Sequence, residues 1–365
     1  MILGMGAKTE VFVMSYYVKF TRLLLSISLV LFCTKAPLAQ GFEVNIMTGG
    51  PSGTYIQIGK DIAALAASTD WKINAVESQG SMENIEAVRE RLYTQFGIVQ
   101  SDVLDFIRTF RSEDAAMRRI VRSTRIAFPL YNEEVHIVTT KSSGISELVD
   151  LSGRIVGVGA PNSGTNLTST FLFEIAYVRP EQSVSISATE ALAQLKAGTI
   201  DAFIYVAGAP TNLLLNTSPT DDLKLISTRS GSINEYYGTS TIKAGTYPWQ
   251  TQDITTPAVR AVLMTYEYNP ARNAYLKMSC DAVSEISYLI NANIETLKQN
   301  GHPKWNQVDL NAIPPGWERA RCVQKALEES YKPPHSHNKA KPRSCADILN
   351  PVALRLCRMQ SAAQG

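Results

Sequence analysis

Three times in succession from Gln40, the chain repeats one unit: a short apolar strand, a loop of small polar residues, then apolar residues at helical spacing. Val44–Met47 runs into Thr48-Gly49-Gly50-Pro51-Ser52-Gly53-Thr54, after which Ile56, Ile58, Ile62, Ala63 and Leu65 keep near-helical spacing. Lys72–Val76 runs into Ser78-Gln79-Gly80-Ser81, where Ser81 is placed to cap a helix over Met82–Arg91. Phe96–Val99 runs into Gln100-Ser101-Asp102, which opens a third helix. Consecutive units of this kind predict a parallel sheet covered by helices.

A second series begins with a strand over Glu134–Thr140. Arg154–Gly159 reads as its next strand, and Ala160-Pro161-Asn162-Ser163-Gly164-Thr165 leads into a helix over Asn166–Tyr177. Ser183–Ser187 is strand-like, Thr189–Ala197 is helical, and Gly198 is placed to end that helix in the left-handed region. Asp201–Val206 is a strand that stops at Ala207-Gly208-Ala209-Pro210. The series closes with a strand near Thr256–Tyr266, and Arg272–Gln299 looks helical. Two series in 365 residues, 45% of them apolar, fit two α/β lobes.

The two ends differ from this body. Lys19 and Arg22 precede the apolar run Leu23–Cys33, and Ala39 supplies a small residue, the pattern of a secretory signal peptide over residues 1–39. The run falls short of the ~20 residues that span a bilayer. Met14 is an alternative start, and an N-terminal membrane anchor is the alternative reading. From Lys332 to residue 365 the chain is polar, with six basic residues against Asp347 alone. The net charge is +2 over the whole chain, yet the ends carry the excess, so the body between them is acidic. That sign argues against nucleic acid as a partner. With Cys33 in the leader, Cys280, Cys322, Cys345 and Cys357 remain, which allows two disulfides in an oxidising compartment. Three pairings are possible. Cys280–Cys322 with Cys345–Cys357 is the simplest, and free thiols are the alternative.

Reactive motifs are scarce. Gly53 to Asp61 resembles a P-loop but has one residue too many between the glycines, and Asp61 stands where a magnesium-binding hydroxyl belongs. Gly157, Gly159 and Gly164 do not have the spacing of a dinucleotide fingerprint, and no Gly-x-Ser-x-Gly elbow occurs. Of the histidines, His136 lies in an apolar strand and reads as structural, His302 stands alone, and His335 and His337 fall in the basic tail. No metal-ligand spacing is present, so neither a metal nor another cofactor is expected. What remains is four loops that each follow a strand and open a helix: Ser52-Gly53-Thr54, Gly80-Ser81-Met82, Gln100-Ser101 and Ser163-Gly164-Thr165. A helix N-terminus offers unpaired N–H groups and a partial positive charge, which suits an anion held without reaction. Ordinary helix capping is the plainer reading of any one of them.

These stretches resemble a known family, the TAXI solute receptors, extracytoplasmic binding subunits of one class of TRAP transporters. The matching segments are Thr48–Tyr55, Glu77–Asn84, Gly97–Asp102, Leu151–Gly159 with Asn162–Thr165, and Gly198–Tyr205 with Gly208–Pro210. They run from about residue 42 to 266, and their order and spacing are more specific than any one of them. The resemblance implies a type II periplasmic binding-protein fold, two α/β lobes joined by crossing strands. It implies residues 41–134 plus 263–331 in lobe 1, residues 135–262 in lobe 2, and a basic tail over 332–365. It further implies a monomeric, non-catalytic receptor in the periplasm, which binds a small anionic solute and hands it to a membrane permease. Family ligands are glutamate-like or 2-oxoacid-like carboxylates and amino acids. By position, Ser52, Gly53, Thr54, Tyr55, Ser81, Met82, Gln100 and Ser101 would serve from one lobe. Asn162, Ser163, Gly164, Thr165, Tyr205, Gly208 and Pro210 would face them. The chain departs from the family pattern after His302-Pro303-Lys304-Trp305-Asn306, where Ile313–Arg319 and the cysteine-bearing tail follow. That departure leaves the partner open: a sensory binding protein that reports to a signalling receptor, or an exported enzyme on a similar frame, are the alternatives.

Overall fold

The computed structural model describes residues 42–333 except 70, 111–113 and 229–230. The expected leader, the tail histidines and the expected Cys345–Cys357 bridge lie outside the described residues. The first series appears as β1 (Glu43–Met47), α1 (Thr54–Leu65), β2 (Lys72–Val76), α2 (Ser81–Glu90), β3 (Thr94–Gln100) and α3 (Ser101–Phe110), followed by α4 (Ala115–Ser123). The long strand β4 (Thr124–Thr140) leads into β5 (Ile155–Gly157), α5 (Gly164–Ile175), β6 (Gln182–Val184), α6 (Ala188–Ala197) and β7 (Ala202–Ala207). Then come α7 (Asn212–Leu215), β8 (Leu223–Leu225), α8 (Gly231–Tyr236), β9 (Gly238–Ile242), β10 (Ile254–Tyr266), α9 (Ala274–Ala292), α10 (Ile294–Asn300) and α11 (Arg321–Ala326).

The architecture is mixed α/β, with helices packed on a central sheet whose order is β2-β1-β3-β10-β4-β7-β5-β6. Off that path β8 pairs with β4 and β9 with β10. Strands β1, β2 and β3 are parallel, as are β5, β6 and β7. The parallel pairing expected of the repeated units holds within each series, and the sheet as a whole is mixed. β10 runs antiparallel to both β3 and β4, and β4 antiparallel to β7. The reason is that β4 and β10 carry the chain from one series to the other and back, pairing from Ala258 opposite Glu134 to Tyr266 opposite Thr124.

β4 has 17 residues, ten more than the sequence reading assigned it. Its first half, Thr124–Glu133, is disguised by Pro129 and by the polar pair Asn132-Glu133. Proline lacks a ladder donor and is tolerated at a bulge, and the register against β10 does shift between Arg260 and Val262, the residue paired with Pro129. The helix expected over Arg272–Gln299 is two helices that meet at Asn293. There the Asn293 side-chain amide donates to the Leu289 carbonyl at 2.8 Å, a local bond that competes with the helical ladder. Gly198 ends α6 at φ 71°, as its position predicts.

Buried apolar side chains form several clusters. One lies between β1, β3, β4 and the helices α1 and α9, with Ile46, Ile58, Phe96, Phe128, Val283 and Trp305 at its centre. The Cys280–Cys322 disulfide, with Cα atoms 5.5 Å apart, ties α9 to α11 on its rim. Other clusters gather around Ile137, Val156, Leu172 and Ile204, and around Leu195, Phe203, Tyr247 and Trp249. These clusters pack both ends of the sheet, and the loops at the carboxyl ends of the parallel strands of both series open into one cavity. No helix among the described residues is long and apolar enough to cross a membrane.

Candidate functional site

The cavity has a volume of about 570 Å³. The loop after β1 forms one wall, with Ser52, Gly53, Thr54 and Tyr55. No side chain caps α1, whose N-cap is Gly53. A Cβ on Gly53 would stand 3.0 Å from the Tyr205 hydroxyl, so the backbone there passes close beneath the ring from the other series. The Thr54 hydroxyl donates to the Gly208 carbonyl at 2.7 Å, which fastens this loop to the end of β7.

The loop after β2 supplies Glu77, Ser78, Gln79, Gly80 and Ser81. Ser81 does not cap α2 as expected. Gly80 holds the cap position at φ 122°, and Ser81 is the first helical residue. Its hydroxyl accepts the Gln100 N–H at 3.1 Å instead, which joins the second loop to the end of β3. The Met82 N–H, one of the free donors of the first turn, is taken by the Asn162 carbonyl of the opposite loop at 3.2 Å.

From the second series come Gly159, Ala160, Ser163, Gly164, Thr165, Tyr205, Val206 and Ala207, with Ser187, Ala188 and Thr189 at the start of α6. Ser163 caps α5, accepting the Asn166 N–H at 3.1 Å. The Thr165 hydroxyl accepts the Val206 N–H at 3.1 Å, so it is engaged in fixing α5 to β7. Gly164 is the point of closest approach. A Cβ there would lie 1.6 Å from Gln100 Oε1 and 2.8 Å from Ser81 Oγ, so any side chain at this position would have to displace the Gln100 amide. Gln100 is itself buried, and among the described residues its Oε1 has no hydrogen-bond partner.

Glu133 closes the floor. The Tyr55 hydroxyl donates to its Oε2 at 2.6 Å. Burial pushes this carboxyl well above the ordinary carboxylate range, against the pull of the Tyr55 bond, and Asp102 and Glu134 push it further. Burial also raises the Tyr55 and Tyr205 phenols, so both face the cavity as neutral hydroxyls. Glu83, at the rim, is answered by Arg91 at 2.7 Å and by the Gln79 N–H. Among the described residues, neither Lys nor Arg stands on the wall.

The structure therefore brings Ser52, Gly53, Thr54, Tyr55, Ser81, Gln100, Ser163, Gly164, Thr165 and Tyr205 to one cavity. It does not bring Met82, Ser101, Asn162, Gly208 or Pro210 to its wall. Met82 and Asn162 meet each other through backbone groups, and Ser101 opens α3. Gly208 packs against Tyr131 and Lys304, while the Pro210 carbonyl accepts from His302 Nε2 at 3.2 Å. Sequence reading missed Glu133 because its half of β4 was not recognised as strand. It also missed Ser187, Ala188 and Thr189, although another loop of small polar residues opening a helix was there to find. His136 is structural as expected: it is buried, its Nε2 lies 2.7 Å from the Tyr247 hydroxyl, and burial lowers its pKa to about 4.

The NMT1-like family matches the chain over residues 46–280. Among solved structures, a protein from Bordetella bronchiseptica RB50 is similar at 15% identity and a TM-score of 0.46, covering 88% of this chain and 99% of that one. A structure described as a periplasmic transporter is similar at 13% identity and a TM-score of 0.44, covering 68% and 85%. The GluR0 ligand-binding core from Nostoc punctiforme, solved in complex with L-glutamate, is similar at 13% identity and a TM-score of 0.41, covering 73% and 95%. At these scores the likenesses assign no ligand to this chain.

Proposed function

This chain belongs to the NMT1-like family, and from that premise we propose that it is an extracytoplasmic solute receptor. Its two lobes, residues 41–134 plus 263–331 and residues 135–262, close on a small carboxylate or amino acid and deliver it to a TRAP-type permease. One observation carries the reading: helix N-termini from both βα series, those of α1, α2 and α5, converge on one cavity. Such termini hold a carboxylate through N–H groups and the helix dipole, without a cation on the wall. The arrangement supports capture and release with no covalent step. Tyr55, Gln100, Glu133 and Tyr205 add hydroxyl, amide and carboxyl groups that select among such ligands by the donors they carry.

The test is a thermal-shift screen with glutamate, glutamine, 2-oxoglutarate, succinate and phosphate. A ligand present at 100 times its dissociation constant adds about 2.7 kcal/mol of stability, a shift of several degrees. A shift with one carboxylate and none with phosphate supports the reading. Protein freed of co-purified ligand that responds to none of the panel, or that turns a panel compound over, overturns it.

A further inference from the structure

Asp102 takes no part in the cavity wall, yet its carboxylate joins the two series directly. It lies in the first turn of α3, where its Oδ1 accepts the Val103 N–H at 2.8 Å. Its Oδ2 accepts the hydroxyl of Thr168, on α5, at 2.8 Å, and that of Tyr237, which follows α8, at 3.3 Å. Both partners are buried, Thr168 completely. Thr168 lies one helical turn beyond Gly164, on the helix whose first turn lines the cavity.

We propose that Asp102 is a positioning residue: by gripping Thr168 and Tyr237 it seats α5 against α3, and so sets where Ser163 and Gly164 face Gln100. This rests on the proposed closure of two lobes. The grip is made entirely of uncharged donors, and no ion pair to Asp102 occurs among the described residues. Asp102 itself is half-buried, and a carboxylate held in this way has no counter-charge beside it, so the seated state favours its protonated form. Burial accordingly raises its pKa to about 6, against the pull of the Thr168, Val103 and Tyr237 bonds. The titratable groups that face it are few. Asp105, on the same helix, pushes the pKa up and is itself paired with Arg108 at 2.9 Å. Tyr237 stays neutral, because burial and Asp102 raise its phenol, and Glu133 on β4 is a buried carboxyl raised in its turn.

The sign follows. When α5 is unseated, the half-buried Asp102 becomes fully hydrated and titrates near the ordinary ~4. Seating takes up a proton, so it strengthens as pH falls from 7.5 through 6 to 5, by about tenfold in the seating equilibrium. Two ligand-free measurements test this. Carbon-13 carboxyl NMR, with the Asp102 signal assigned by its loss in Asp102→Asn, should show a midpoint near 6. Hydrogen exchange should show the α5 amides beyond Thr168 about tenfold better protected at pH 5 than at 7.5, after correction for intrinsic rates. Asp102→Asn keeps an acceptor for both hydroxyls and takes up no proton, so its protection should stay high and flat across the same range. A midpoint near 4, or a variant that keeps the wild-type pH response, overturns the proposal. Because no solute enters either measurement, that failure is separate from a failure of the ligand screen.

Discussion

Glu133 and Glu134 are neighbours on β4, both buried, and their surroundings could hardly differ more. Glu134 points into a network with a partner for every need: Lys304 Nζ at 2.6 Å, the Ser240 hydroxyl at 2.9 Å and the Ala209 N–H at 2.7 Å. Lys304, only 2% exposed, adds a bond to the Asn132 carbonyl at 2.8 Å and lies over the Tyr131 ring. Glu133 faces the cavity with Tyr55 as its hydrogen-bond donor and, among the described residues, no cation in contact. Strand geometry turns adjacent side chains to opposite faces, so one step along the chain separates a brace from a binding surface. A completed network holds β4, β9, the Pro210 turn and the Lys304 segment in register. An incomplete one leaves polar groups for something else to meet.

The largest expected effect breaks the brace. Lys304→Met leaves Glu134 buried without its cation, a change that typically costs about 3–5 kcal/mol. Urea denaturation should show that loss, and adding Glu134→Gln should return much of it. A single variant as stable as the parent would mean that Glu134 finds water or another donor.

A middle-sized effect sharpens the other side. The carboxyl of Glu133 is raised in the fold, so its contribution is fully present below the unfolded pKa and is lost as pH rises through the folded value. Glu133→Gln keeps an acceptor for Tyr55 and removes that loss. Relative to the parent, the variant should gain stability between pH 5 and pH 8, by at most about 1.4 kcal/mol per pH unit. Parallel denaturation curves at the two pH values would place Glu133 in water.

The smallest effect concerns the helix ends that meet at the cavity. Ser163 caps α5 with its own side chain, whereas α1 and α2 begin at glycines with no side-chain cap. Ser163→Ala should cost about 1 kcal/mol by thermal melting, the ordinary worth of a cap. In the proposed receptor, adding Thr165→Ala should weaken ligand binding in calorimetry while the fold persists.

Some of this was legible in the residue order. The strand, loop and helix sequence placed β1, β2, β3 and the helices after them within a residue or two, because apolar periodicity and small-residue loops are local signals. Gly198 was readable for the same reason, since a left-handed helix end needs what glycine alone offers cheaply. The pairing of Cys280 with Cys322 was one of several options and was settled by α9 packing on α11. Other features had no local signal. Pro129 and the polar pair Asn132-Glu133 disguised the first half of β4, and only its pairing with β10 makes that stretch a strand.

The sequence by itself determined the α/β class, the loops that reach the cavity and the absence of recognisable nucleotide motifs. Tertiary structure decided the antiparallel crossing of β4 and β10, the separate fates of Glu133 and Glu134, and the contact of Gln100 with Gly164. The physical reason is range. Periodicity, turns and caps are set within a few residues, whereas a carboxylate becomes brace, wall or latch through partners such as Lys304, Tyr55 and Thr168, tens to hundreds of residues away.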